Sequence, residues 1–203
     1  MTEAPPPPVS RETQDRLDLL ASLIRKWSPR INLVAPATLA QLEDRHIADS
    51  AQLFALMPPT ARHWADLGSG AGLPGLVIAI LAREQAPDLA VTLVESDQRK
   101  AAFLRTAASA CDVAPRILAA RIETLPPLQA DVLSARALAP LPRLLAHAER
   151  HLAPQGVAIF PKGARHPQEL EEALALWSFT VHKIPSRTDP RGTILVISGV
   201  ARV

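Results

Sequence analysis

The sequence predicts an α/β fold in which a mostly parallel, doubly wound sheet carries helices on both faces, and three observations predict it. Short β-branched and aliphatic runs alternate with longer amphipathic stretches from about residue 60 onward. The first of these runs ends in a glycine-rich turn that opens directly into an apolar helix. The last two runs are joined by a loop instead of a helix, which predicts an antiparallel hairpin at one sheet edge. A chain of 203 residues, 48% of them apolar and 21% charged, can bury one sizeable core and still present a polar surface.

Residues 1–9 include the prolines Pro5 to Pro8 and read as a flexible extended tail. They carry an acid and no basic stretch leading into an apolar one, which argues against an ordinary signal peptide. Ser10, with Thr13 and Asp15, can start a helix whose apolar positions include Leu17, Leu20, Leu23, Ile24 and Trp27. A second helical stretch is expected from Thr38 to Leu56, ending at Met57-Pro58-Pro59, where paired prolines remove donors and force extended backbone. Residues 10–59 therefore read as a helical N-terminal extension and 60–203 as the main domain. Within that domain the expected parallel strands are His63 to Leu67, Val91 to Glu95, Arg116 to Ala119, Asp131 to Ala135 and Val157 to Phe160. The helices between them run over Leu76 to Glu84, Gln98 to Cys111 and Pro140 to His151. Thr180 to Ile184 and Ile194 to Val200 form the edge hairpin.

Composition limits the function classes. Lysine plus arginine total 22 against 20 for aspartate plus glutamate, so any nucleic-acid role rests on a local basic face and not on bulk charge. Cys111 is the single cysteine, and no cysteine–histidine cluster has zinc-ligand spacing. A reducing, cytoplasmic setting without a metal is expected. The longest apolar block, Leu73 to Ala82, is interrupted by Pro74 and followed by Arg83 and Glu84, so no membrane span is expected.

The most informative segment is Trp64-Ala-Asp-Leu-Gly-Ser-Gly-Ala-Gly-Leu-Pro-Gly75. Its glycines permit positive φ and remove the Cβ atoms that would hold a ligand off the backbone, at the carboxyl end of a strand where open α/β sheets bind ligands. Gly70-x-Gly72-x-x-Gly75, with Glu95 downstream, also satisfies a dinucleotide fingerprint. Three details favour S-adenosylmethionine. Asp66 can face a cationic methionine end, directly or through water, but would repel a diphosphate. Gly68 extends the motif to Asp-x-Gly-x-Gly-x-Gly. Pro74 removes an N–H from the helix start, where a diphosphate wants them all. Glu95, at the end of the second strand, has two acceptor oxygens for ribose hydroxyls, with Ser96 and Asp97 beside the adenosine. Capping of the next helix is the competing role for Glu95.

Asn32-Leu-Val-Ala35, Arg45-His-Ile-Ala-Asp-Ser50, the Asp66-to-Gly75 loop, Ser134-Ala-Arg136-Ala and Pro161-Lys-Gly163 together resemble the bacterial 16S ribosomal RNA guanine-N7 methyltransferase G family, also called glucose-inhibited division protein B. The glycine loop alone points only to the superfamily; its combination with Arg45-His-x-x-Asp-Ser50 is what makes the resemblance specific. The resemblance implies a Rossmann-like class I S-adenosylmethionine-dependent methyltransferase. It also implies a cofactor site lined by Gly68, Leu73, Glu95, Ser96, Asp97, Ile122, Glu123 and Arg136, to which the loop reading adds Asp66, Gly70 and Gly72. The implied acceptor is a guanine of 16S ribosomal RNA near the decoding region, in the helix-18 loop, as naked RNA or within the small ribosomal subunit.

The residues fit such chemistry. Guanine N7 already presents a lone pair, so no general base is needed and catalysis rests on alignment and electrostatics. Ser134-Ala-Arg-Ala lacks the Asn-Pro-Pro-aromatic box that holds an exocyclic amine, and Cys111 ends an amphipathic helix, unlike a loop nucleophile. Arg136, after the fourth strand, is the candidate catalytic residue, able to contact cofactor, target base or phosphate. Arg45, His46, Asp49 and Ser50 fall within little over one turn of the second helix and can cover the cofactor or touch RNA. Lys162 and Arg165 can meet phosphates. With aromatics at 3%, RNA would be gripped by arginine and by shape, and a monomer is expected. A methyltransferase of another RNA, a protein or a small molecule, a nicotinamide-dependent oxidoreductase and a non-catalytic binding module remain alternatives at this point.

Overall fold

The computed structural model describes residues 9–203. Seven strands, β1 (His63–Leu67), β2 (Ala90–Val94), β3 (Arg116–Leu118), β4 (Ala130–Ser134), β5 (Leu152–Lys162), β6 (Trp177–Pro185) and β7 (Thr193–Arg202), form one sheet in the order β3-β2-β1-β4-β5-β7-β6. The β3-β2-β1-β4-β5 part is parallel, and β7 pairs antiparallel with both β5 and β6. This is the doubly wound class I architecture with its antiparallel edge. The chain winds outward from β1 through β2 to β3, then restarts on the other side at β4. That reversal opens a crevice at the carboxyl ends of β1 and β4.

Alternating strand residues feed two cores. Trp64, Val132, Ile159 and Ile194 face one layer, where α1 (Arg11–Ile31), α3 (Gly75–Gln85) and α4 (Gln98–Ala110) pack. Leu67, Leu133, Phe160 and Leu195 face the other, beneath α5 (Leu141–His151) and α6 (His166–Leu174). All of Gly75 to Ala82 in α3 is buried, because that helix is sandwiched between the sheet and α1. Ser10 caps α1 by accepting from Thr13 N, and the Glu84 carboxylate at the end of α3 accepts from Ser10 N, Ser10 Oγ and Thr13 Oγ1. Of the proline-rich start, residues 1–8 lie outside the described residues, and Val9 packs against the core.

Two expectations need correction, and one helix was not foreseen. The single helix expected from Thr38 to Leu56 is broken into a 3-10 turn (Pro36–Gln41), a π turn (Leu42–Ile47) and the short α2 (Ala48–Phe54). The Ala48 N–H reaches back to Glu43 O, so the π turn takes in an extra residue and shifts the register between Arg45 and Ser50. Strand β5 begins five residues before the expected Val157, because Pro154 and Gly156 sit at a register shift against β4. Gly156 lies against Ala130 O, where a Cβ would stand 2.6 Å away. Helix α6 was not expected at all: it buries only Leu170 and Ala173, too few apolar positions to stand out from a polar loop. Among the described residues no helix is long and apolar enough to cross a membrane, and no three histidine, cysteine or acidic side chains are grouped to hold a metal.

Candidate active site

The glycine turn is held by the carboxyl end of β2. Gly68 N and Ser69 N donate to Val94 O at 2.9 and 3.0 Å, and Gly70 N donates to Glu95 Oε2 at 2.9 Å. Gly68 has a φ of 67° and Gly70 one of 52°, in the left-handed region. A Cβ on Gly68 would also stand 2.6 Å from Leu138 Cδ1. Gly75 is required for a different reason, packing: its Cβ would meet Leu93 Cδ2 at 2.2 Å and Asp66 Oδ2 at 2.7 Å.

Asp66 is 1% exposed and lies beneath the turn. Oδ1 accepts from Ser134 Oγ at 2.7 Å, and Oδ2 accepts from Gly75 N at 3.2 Å. Ser134 Oγ in turn accepts from Trp64 Nε1 at 2.9 Å. Burial pushes the Asp66 carboxyl up to about 6, opposed by the hydrogen bonds from Ser134 and Gly75 and by the Arg136 charge. The expected placement of Asp66 facing a ligand is corrected by its burial: the carboxylate is outside the cavity wall, each oxygen takes a protein donor, and the residue braces the turn from below. This arrangement also fills the helix start that a diphosphate would use, because a carboxylate already takes the Gly75 N–H.

Above the turn lies a cavity of about 340 Å³, of a size for a nucleoside. Gly68, Gly70, Glu95, Ser96, Ile122, Glu123 and Arg136 line it. Glu95 Oε1 accepts from Asp97 N at 2.8 Å while Oε2 takes Gly70 N, so each oxygen keeps a free lone pair. Asp97 caps α4, accepting from Arg99 N and Lys100 N at 2.8 and 3.2 Å, and the bond from Lys100 N is the foremost cause that lowers its pKa. Asp97, Gly72 and the 5% exposed Leu73 are not in the cavity wall; Leu73 belongs to the core. Lys100, Arg121, Leu138, Arg143 and His147 are wall residues that sequence reasoning missed. They come from two helices and two loops, with no common motif to announce them. Arg143 Nη2 donates to Glu123 Oε1 at 2.9 Å, and burial draws the His147 imidazole below its ordinary value.

A second, larger cavity of about 510 Å³ opens beside the first. Arg45, His46, Asp49, Lys162 and Arg165 line it, so the structure brings together five of the six expected substrate-side residues from positions far apart in sequence. The sixth, Ser50, is corrected: it is fully buried and its Oγ donates to His46 O at 2.7 Å, because the π turn rotates it into the core. Ser186, Thr188 and Asp189, in the β6–β7 loop, and Glu169 and Glu172 of α6 are also in the wall. Asp49 Oδ1 clasps that loop by accepting from Thr188 Oγ1 at 2.8 Å, and it also accepts from Gln52 Nε2 of its own helix at 2.8 Å.

Arg136 to Ala139 belong to both cavities and form the partition between them. The partition is held in a costly conformation, since Ala137 has a φ of 51°. Lys162 Nζ donates to Ala139 O at 3.0 Å and to Glu169 Oε2 at 2.7 Å, and Glu169 Oε2 also accepts from Leu141 N at 2.8 Å. Lys162 is thus engaged with the partition and is not held out as a free cation. Arg136 Nη1 donates to His46 Nδ1 at 2.9 Å and lies 3.5 Å from Asp49 Oδ2. A guanidinium only donates, so His46 Nδ1 is the acceptor and its ring proton sits on Nε2, which is buried and unpartnered among the described residues. Burial, and then the Arg136 charge, hold His46 down to about 4, so it is neutral at physiological pH. Burial also lowers the Arg136 pKa, while Asp49 and Asp66 raise it.

Comparison with known proteins adds family and fold. A family model described as rRNA small subunit methyltransferase G matches residues 13–192. The ribosomal RNA small subunit methyltransferase G of Ruegeria pomeroyi is 52% identical over 195 residues, covering 96% of this chain and 95% of that protein. Its counterpart in Rhodospirillum centenum is 51% identical over 193 residues, covering 95% and 87%. Among solved structures, the ribosomal protein L11 methylase of Lactobacillus delbrueckii subsp. bulgaricus superposes with a TM-score of 0.59 at 20% identity, covering 74% of this chain and 76% of its own. At that identity it speaks for the fold alone.

Proposed function

The chain belongs to the rRNA small subunit methyltransferase G family, and from that premise we propose that it methylates N7 of a guanine in the helix-18 loop of 16S ribosomal RNA, near the decoding region. It is an rRNA methyltransferase, and its methyl donor is S-adenosylmethionine. The dinucleotide alternative that the glycine spacing left open falls with that membership. The observation that carries the finer reading is the pair of cavities meeting at the Arg136–Ala139 partition, one at the glycine turn and one to which Arg45, Arg136 and Arg165 contribute among acidic and small residues. In this reading the enzyme acts as a monomer in the cytoplasm, on RNA or on the small subunit.

The first cavity fits the donor. Glu95 has lone pairs left for a ribose diol, Gly68 and Gly70 leave the floor bare of side chains, and Ile122 and Glu123 form the facing wall. Ser96 flanks Glu95, while Asp66, Gly72, Leu73 and Asp97 set the shape of the turn and the start of α4 from behind. When bound, S-adenosylmethionine supplies an electrophilic methyl on sulfonium, which joins the base nitrogen lone pair as the carbon–sulfur bond breaks and its electrons stay on sulfur.

The protein's own part is alignment and charge. Arg136 stands where the two cavities meet, and its pairing with Asp49 keeps the net charge near the accepting base low as that base becomes cationic. Arg45, 3.8 Å from Asp189 Oδ2, and Arg165 are cationic residues lining the second cavity, suited to phosphates on either side of an inserted nucleotide. No side chain has to remove a proton, which agrees with a neutral, tautomer-fixed His46.

The test is transfer of labelled methyl to small ribosomal subunits that lack the modification, followed by borohydride reduction and aniline cleavage, which break RNA at N7-methylguanine. The expected result is label in 16S ribosomal RNA with a single break in the helix-18 loop. Label without cleavage refutes the N7 assignment, and cleavage elsewhere refutes the site.

A further inference from the structure

We propose that Arg136 reads O6 of the target purine, and that this contact is what makes the enzyme choose guanine over adenine. The inference rests on the N7 reading above.

Guanine and adenine both present an N7 lone pair in the same position, so the reacting atom cannot distinguish them. The difference beside it lies at C6: guanine carries an acceptor oxygen, adenine a donor amine. To accept a methyl from the first cavity, the N7 edge of a base in the second must face the partition. The C6 substituent, on that same edge, then also faces the partition. Arginine commonly grips guanine through N7 and O6 together, but here N7 must stay free to attack, which leaves O6 as the acceptor on offer.

Arg136 is placed for this task. It lines both cavities, and its recorded protein contacts, to His46 Nδ1 and Asp49 Oδ2, are both made by Nη1. Among the described residues no hydrogen bond is recorded for Nε or Nη2, and neither is a buried unpartnered atom, so donors remain on a side chain that lines both cavities. A guanidinium has five donors and no acceptor, so it satisfies O6 and leaves an adenine amine facing donors alone. The side chain is 18% exposed and is anchored at Nη1 by His46 and Asp49. His46 and Asp49 are then positioning residues: one fixes the guanidinium from a neutral acceptor, and the other offsets its charge as the purine turns cationic.

The experiment places guanine, inosine, 2-aminopurine or adenine at the target position of small subunits reconstituted with ligated RNA. Single-turnover methylation is normalised to the reactivity of each base toward dimethyl sulfate. Inosine keeps O6 and is expected within about 10-fold of guanine, whereas 2-aminopurine and adenine, lacking it, are expected to fall by about 10-fold to 100-fold or more, as for a lost charge-assisted hydrogen bond. In Arg136→Met the guanine to 2-aminopurine ratio collapses toward one, and Arg136→Lys restores part of it. A variant silent on every RNA is read by its affinity in the presence of S-adenosylhomocysteine, where the same ratio must fall. Asp49→Asn is expected to lower the rate while keeping the ratio. A wild-type enzyme that methylates 2-aminopurine as fast as guanine, or an Arg136→Met ratio equal to that of the wild type, overturns the inference alone. Failure of the wild type to form N7-methylguanine on the unmodified RNA overturns the N7 reading, and this inference with it.

Discussion

Replacing Asp66 by asparagine should change the way stability depends on pH. The carboxyl is 1% exposed, and its pKa rises from 3.8 to about 6, chiefly through burial. A folded pKa above the unfolded one means that the protonated acid stabilises the fold fully below pH 3.8, and that this contribution is lost as pH rises through about 6. At about 1.4 kcal/mol per pKa unit, the whole change is about 3 kcal/mol, of which about 2 kcal/mol falls between about pH 4.5 and about pH 7.5. Asparagine is nearly isosteric, can accept from Gly75 N and can donate to Ser134 Oγ, so the substitution removes the titration with little change in shape. Urea unfolding of both proteins across that range gives the difference directly, and subtraction cancels every other titrating group. The wild type should lose about 2 kcal/mol relative to Asp66→Asn as pH rises. A difference that stays constant would mean that the carboxylate is hydrated, and the buried brace beneath the glycine turn would be wrong.

Other substitutions test other links. Glu95→Ala removes the acceptor for two backbone donors and for a ribose diol, so calorimetry should find S-adenosylmethionine affinity reduced at least about 10-fold in a folded protein; unchanged affinity would remove the assigned cavity. Gly75→Ala drives a methyl against Leu93 and the Asp66 carboxylate and should cost about 1–3 kcal/mol in denaturant unfolding, whereas equal stability would show that the helix start has room to yield. His46, held at about 4 against an ordinary 6.5, contributes stability above pH 6.5 that is lost as pH falls toward 4. His46→Gln should therefore leave the rate profile between about pH 6 and pH 8 unchanged in shape; a limb near neutrality that vanishes in the variant would contradict the neutral ring.

The elements readable in the sequence are those whose pattern is local. β1 is bounded by the polar Arg62 and by the glycine turn, and its expected and observed limits coincide. The Ser10 cap marks the start of α1 because a hydroxyl at that position answers a helix's own orphan donor. The π turn at Leu42–Ile47 is not marked in this way, and it decides that Ser50 faces the core while Arg45, His46 and Asp49 face the cavity. The site divides along the same line. Gly68, Gly70 and Glu95 announce themselves by spacing, and the first two line the cavity through backbone alone. Lys100, Arg143 and His147 enter the wall only because α4 and α5 flank the sheet, a tertiary fact with no local signature. Asp66 shows a limit of another kind. Its charge suggests a ligand contact, but the deciding quantity is burial, which sets the carboxylate beneath the turn on protein donors and outside the cavity wall.

The account depends most on which cavity takes the donor and which takes the base. A crystal structure with S-adenosylhomocysteine and an RNA fragment of the helix-18 loop measures this directly. The adenosine should lie on Gly68 and Gly70 with its ribose on Glu95, the sulfur should lie beside the Arg136–Ala139 partition, and a guanine should enter between Arg45 and Arg165 with its N7 edge toward that sulfur. Adenosine in the arginine-lined cavity, or a base that presents its opposite edge to the partition, would contradict it.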